Sequence, residues 1–68
     1  MYYAIRSKTV PDYIRIEKAR DAIEALYIAF GRDRRGGNFE ALNLGTRKRA
    51  ETPKCIASLK EAKGWTTI

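Results

Sequence analysis

Hydrophobic and polar positions alternate at the start of the chain, with Tyr3 and Ile5 on one side and Ala4, Arg6 and Lys8 on the other. Period-two alternation with Tyr and Ile predicts a half-buried strand over 2–8. Val10-Pro11-Asp12 then breaks it, because proline fixes φ and has no N–H to give a ladder. Two readings of the next stretch stay open. In one, Tyr13-Ile14-Arg15-Ile16-Glu17 is a second strand, 13–17, pairing with the first as a hairpin with Ile14 and Ile16 inward. In the other, Thr9 and Asp12 form a capping box, and a helix runs to Phe30 with Tyr13, Ile16, Ala19, Ile23, Leu26 and Phe30 at helical spacing. Periodicity leans to the helix; residue type, and the need of a lone strand for neighbours, lean to the hairpin. The hairpin is adopted.

From Lys18 the chain is rich in helix formers, which predicts a helix over 18–30 with Ala19, Ile23, Leu26 and Phe30 as its inward stripe. Arg20 and Glu24 stand at i, i+4 on its polar side, and Gly31 supplies the stop. Ile28 lies off that stripe, so a second packing surface, from another element or another copy of the chain, is expected. Residues 39–44 are expected to form a third strand with Leu42 and Leu44 inward. A short helix capped by Asn38 and ended by Gly45 is the rival, since Glu, Ala and Asn are indifferent strand formers. Thr52-Pro53 opens a final helix, 53–63, with Cys55, Ile56, Leu59 and Ala62 inward. Gly64 then lets Trp65 fold back against Leu59. The resulting expectation is a single α+β domain, 1–68: a small antiparallel sheet packed by two helices.

Composition narrows the function classes. The chain has 68 residues, fourteen Lys or Arg against eight Asp or Glu, no His and one Cys. A lone Cys cannot form an internal disulfide, so a reducing, cytoplasmic setting is expected. Without His and with one Cys there is no N/S ligand set for zinc and no imidazole base, so neither a metal nor a cofactor is expected. Ser7 and Ser58 have no His partner, and no Gly-rich loop has phosphate-cradling spacing. Cys55, in the first turn of a helix, falls on the apolar stripe and reads as an inert thiol. No apolar run has the length of a membrane span. The expected protein is therefore not an enzyme and has no catalytic residue.

Charge is uneven along the chain. Residues 32–54 hold Arg32, Arg34, Arg35, Arg47, Lys48, Arg49 and Lys54 against Asp33, Glu40 and Glu51, which is four of the net six positive charges. Two basic runs therefore bracket the third strand, at ends about 20 Å apart at ~3.3 Å per residue. Arginine predominates, and its planar fork suits phosphate oxygens. Arg32, Arg34, Arg35, Arg47, Lys48 and Arg49 are the candidate phosphate contacts, with Tyr2 and Tyr13 as candidate stacking or anchoring faces. Arg35-Gly36-Gly37, with Phe39 close behind, resembles one unit of the RGG elements of RNA-binding proteins. The order strand, Pro-containing turn, strand, helix, opening on Tyr2-Tyr3-Ala4-Ile5-Arg6, resembles the start of the hybrid-binding domain at the N-terminus of eukaryotic ribonuclease H. That resemblance implies a grip on double-stranded RNA or RNA–DNA hybrids. It covers about the first seventeen residues and the element order. The family's glycine-aromatic turn has no match at Pro11-Asp12-Tyr13, and its helix-opening Trp none in 17–24, so no residue role is carried over.

The leading expectation is a basic module that binds nucleic acid, DNA or RNA, through phosphate. The alternative is a small inhibitor, of the kind phages and mobile elements direct against host defence nucleases (anti-CRISPR or anti-restriction), binding a host nucleic-acid-handling complex. A subunit of a ribonucleoprotein or virion is a weaker third. A homodimer is compatible with each.

Overall fold

The computed structural model of the chain describes residues 1–31 and 38–68. It is an α+β arrangement, a small antiparallel sheet with two helices. Strands β1 (Tyr2–Ser7) and β2 (Ile14–Lys18) form the hairpin, with Tyr2 opposite Lys18 and Arg6 opposite Ile14. Val10-Pro11-Asp12-Tyr13 closes a turn through Tyr13 N–H to Val10 O at 3.2 Å, with proline at its favoured second position. Thr9 caps no helix. Its hydroxyl shares a hydrogen bond with Ser7 Oγ (2.8 Å), and its N–H donates to the same atom.

Helix α1 (Ala22–Phe30) starts four residues later than the sequence pattern predicts, because β2 continues to Lys18 opposite Tyr2 and Asp21 takes the cap. Asp21 is extended, at φ −151°, and accepts from Glu24 N–H at 2.8 Å. Glu24 reaches back to the Arg20 N–H and, at 2.9 Å, to Arg20 Nε. Gly31, at φ +59°, ends the helix by donating to Tyr27 O. The inward side also differs from the expected stripe. Ala25 and Leu26 are buried, with Ala22, Ala29 and Phe30 packed beside them, while Ile23 points out. A side built of alanines lets the helix lie close to the strands, which turns Ile23 away.

Strand β3 (Phe39–Gly45) lies on the other side of β1, so the central strand has both neighbours, and the short-helix alternative does not form. Helix α2 (Pro53–Glu61) opens as expected, with Thr52 Oγ1 accepting from Cys55 N–H at 3.2 Å. It ends at Glu61, with Ala62 as the cap, not at Lys63. Beyond Gly64 a further pairing, absent from the sequence reading, adds β4 (Thr66–Thr67) to β3, in sheet order β2-β1-β3-β4.

The two helices cover opposite faces of the sheet. Strand alternation sends Ile5, Phe39 and Ala41 to the α1 side, and Ala4, Ile14, Ile16 and the half-buried Leu42 and Leu44 to the α2 side with Leu59. Hence β1 and β3 are apolar on both faces, which blurs the period-two pattern in sequence.

Trp65 folds back as expected, its Nε1 donating to Leu59 O at 3.1 Å. Gly64 makes that return at φ +105°, where an added Cβ would stand 3.3 Å from Leu42 Cδ1. Gly64→Ala is therefore expected to lower the melting temperature by roughly 5–10 °C, from about 1 kcal/mol of backbone strain and crowding. A thermal melt followed by circular dichroism checks it; an unchanged melting temperature would mean the turn accepts a side chain.

Candidate nucleic-acid interface

Three strand ends meet at one end of the sheet. Tyr2 at the start of β1 stands opposite Lys18 at the end of β2 and Gly45 at the end of β3. The neighbouring chain is tied in by Ala19 N–H to Met1 O at 2.9 Å. Gly45 turns the chain off the sheet at φ +77°, its N–H bound by Asn43 Oδ1 at 2.7 Å. Thr46 to Glu51 then runs exposed to the cap of α2. Lys18 and Gly45 are two strand spacings apart, about 10 Å. The Arg47-Lys48-Arg49 run and Lys18 thus leave the sheet from the same end.

Four of the cations elsewhere are paired, although Lys8 and Lys63 are exposed and make no ion pair with a described residue. Arg6 is held by Glu40 (2.5 Å), Arg15 by Glu17 (3.0 Å), Arg20 by Glu24 (2.9 Å) and Lys60 by Asp12 (3.2 Å). Lys18, Arg47, Lys48 and Arg49 are exposed and make no ion pair with a described residue. Lys54, in the first turn of α2, is also exposed, and that turn holds no acidic residue. Of the carboxylates near this end, Glu17 is paired with Arg15, whereas Glu51, two residues beyond Arg49, is exposed and makes no ion pair with a described residue. The Arg15 guanidinium is held above its ordinary pKa by hydrogen bonding to Tyr13, with Glu17 and Glu51 adding and burial opposing.

Of the sequence-predicted residues, Arg47, Lys48 and Arg49 are adjacent and free to bind, and Tyr2 stands beside them in the sheet. Tyr2 is half-buried against the α2-side cluster, so its ring is partly used in packing. Tyr13 does not join them. It lies just before the opposite end of β2, about 17 Å from Lys18 along the strand at ~3.3 Å per residue. It is exposed, edge-on to Phe30 with ring centroids 6.2 Å apart, and Phe30 in turn meets Phe39 at 4.9 Å. Arg32, Arg34 and Arg35 lie outside the described residues. Lys18 was not singled out in the sequence, because its place beside the basic run follows from the hairpin register. Cys55 is half-buried on the α2 side, as a packing thiol would be. Among the described residues no helix is long and apolar enough to cross a membrane.

In comparisons with known proteins, no family model, no curated protein and no solved structure matches the chain.

Proposed function

We propose that this chain is a non-enzymatic nucleic-acid-binding module that grips backbone phosphates with Arg47, Lys48, Arg49 and Lys18. One observation carries the reading: these cations gather unpaired at one end of the sheet, while the arginines packed on the sheet and on α1 are matched with carboxylates. Exposed, flexible cations of this kind release counterions when they meet phosphate, which drives binding without reading sequence. Lys54 lies close enough in sequence to extend the contact.

The test is fluorescence anisotropy with a labelled duplex of about 20 base pairs. Four contacts give a log–log salt slope of roughly −3.5, so affinity should fall about a hundredfold between about 50 and 200 mM salt. Arg47→Glu, Lys48→Glu and Arg49→Glu together should abolish binding at the lower salt while the circular dichroism spectrum stays unchanged. Equal binding by that variant would remove the phosphate role. A partner protein recovered from nuclease-treated lysate through the same cations, with no duplex binding, would replace nucleic acid by an acidic protein surface, as the inhibitor reading requires.

A further inference from the structure

The two edges of the sheet differ. At one, β4 has only two residues, and a short strand blunts an edge. At the other, β2 has five, with no proline or bulge inside it and its lysine at the end. The phase of the hydrogen bonds tells which of its backbone groups are used. Ala19 N–H donates to Met1 O at 2.9 Å, one step beyond the Tyr2–Lys18 position. Bonded pairs alternate from there, so Tyr3 bonds Glu17 and Ile5 bonds Arg15. Across β1, Lys8 N–H donates to Asn38 O at 2.7 Å, which turns the even-numbered residues of β1 to β3, as this phase requires. The N–H and C=O groups of Ile14, Ile16 and Lys18 therefore face away from β1. Among the described residues no hydrogen bond meets them. Ile14 and Ile16 send their side chains to the α2 side, so what they turn to the edge is backbone. Arg15 and Glu17 stand beside it on the α1 side.

We infer that this edge pairs with the same edge of a second copy, β2 antiparallel to β2 about a two-fold axis at Ile16, so that one sheet runs through both copies. Backbone phase and charge together select that register. Outward groups meet only outward groups, so Ile14, Ile16 and Lys18 of one copy pair with those same residues of the other. A two-fold axis at Arg15 sets Arg15 against its twin, and an axis at Glu17 sets Glu17 against its twin. An axis at Ile16 lets all three residues pair and puts each Arg15 opposite the other copy's Glu17. These are non-bonded positions, where side chains are closest, about 4.5 Å between Cα atoms. The Arg15–Glu17 pair within each chain, at 3.0 Å, then joins a ring of four alternating charges. The five donors of a guanidinium can serve both carboxylates. The same register keeps the cationic ends apart. Each Lys18 lies beside the other copy's Ile14, about 13 Å along the strands from its twin at ~3.3 Å per residue, beyond the Debye length of about 10 Å at 0.1 M salt. A strand of another protein would need the same order of charge, apolar residue and countercharge; β2 itself supplies it.

This inference is independent of phosphate binding, and its test uses no nucleic acid. One short strand makes a contact at the small end of specific interfaces, below about 1,200 Å², so association is weak. Sedimentation equilibrium of the full chain in about 0.15 M salt should show the mass doubling as concentration rises from about 10 µM to 1 mM. Over that range the Ile16 amide should slow its hydrogen exchange in step with the fraction dimerised. Arg15→Glu sets like charges against each other twice and should weaken association roughly tenfold or more. Glu17→Arg should do the same. The two variants mixed should associate as wild type does, because each offers the charges the other lacks, and one chain carrying both substitutions should dimerise again. Circular dichroism of every variant checks that it is folded. A wild-type chain that stays monomeric up to about 1 mM would overturn the proposal and leave the edge to an extended segment of another protein. So would a dimer that Arg15→Glu leaves intact, folded variants that do not associate when mixed, or concentration-dependent protection confined to amides outside β2.

Discussion

Leu59→Ala is expected to leave the purified chain largely unfolded at 25 °C. Leu59 is 1% exposed and is the buried residue of α2, seated on Ala4, Ile14 and Ile16. Its partners in α2, Cys55 and Ile56, are half-buried, so the helix is held to its face of the sheet chiefly through one side chain. Truncating a buried leucine costs about 2–5 kcal/mol, the spread depending on how far the cavity collapses. A core of this size, with no disulfide, supplies roughly 3–5 kcal/mol in total. The loss is therefore as large as the stability it is taken from. Urea titration at several temperatures, followed at 222 nm, should place the Leu59→Ala midpoint at or near zero urea at 25 °C. Ile56→Ala should shift it by less than half as much. A Leu59→Ala midpoint close to wild type would mean that the α1 side carries the fold without α2. An unfolded Leu59→Ala chain would also be uninformative about the proposed duplex binding, because Arg47 to Arg49 lie between β3 and α2. Surface substitutions, not core ones, therefore test the interface.

How much of this was legible in the sequence depends on which force placed each residue. The hairpin was, because Ile14 and Ile16 alternate and Pro11 forces a turn between two half-buried strands. The caps at Thr52 and Gly31 were, because each is a local hydrogen bond. The start of α1 was not. Lys18 and Ala19 have helical neighbours in sequence, but Tyr2 pairs with Lys18, and a tertiary ladder outranks propensity. Ile23 was misplaced for a related reason. A periodicity count takes the largest apolar residues as inward, whereas the sheet accepts the small ones, Ala22, Ala25 and Ala29. That leaves the bulky residues outside, and a run of alanines three and four apart was the signal for it. Strand β4 is two residues long and exists only through β3. In the candidate site, the Arg47–Arg49 run was visible as composition, but its union with Lys18 and its separation from Tyr13 are matters of register. The same register that brings Lys18 in removes Arg6, which composition counts as one more cation.

Arg6 is structural, and its removal should show it. Its Nε lies 2.5 Å from Glu40 Oε1, with the two side chains 13% and 17% exposed. Its guanidinium stacks 4.0 Å from the centre of the Trp65 ring, and Nη1 reaches toward Lys60 O at 3.5 Å. The group joins β1, β3, the end of α2 and the returning chain at Trp65. Taking one member of a largely buried pair leaves the other desolvated and unmatched, which costs more than the pair contributes. Glu40→Ala and Arg6→Ala should therefore each destabilise by about 2–3 kcal/mol, lowering the melting temperature by roughly 10–20 °C. The Arg6→Leu, Glu40→Leu double variant should recover most of that loss, because neither charge then remains to be buried. Arg6→Lys keeps the charge but forfeits the fork and the stacking, so it should fall between wild type and Arg6→Ala. A coupling energy of 1 kcal/mol or more, from the complete double-mutant cycle by urea denaturation, is the expected signature. Additive single effects below about 0.5 kcal/mol would show instead that water screens the pair, and Arg6 would then rejoin the cations available to phosphate.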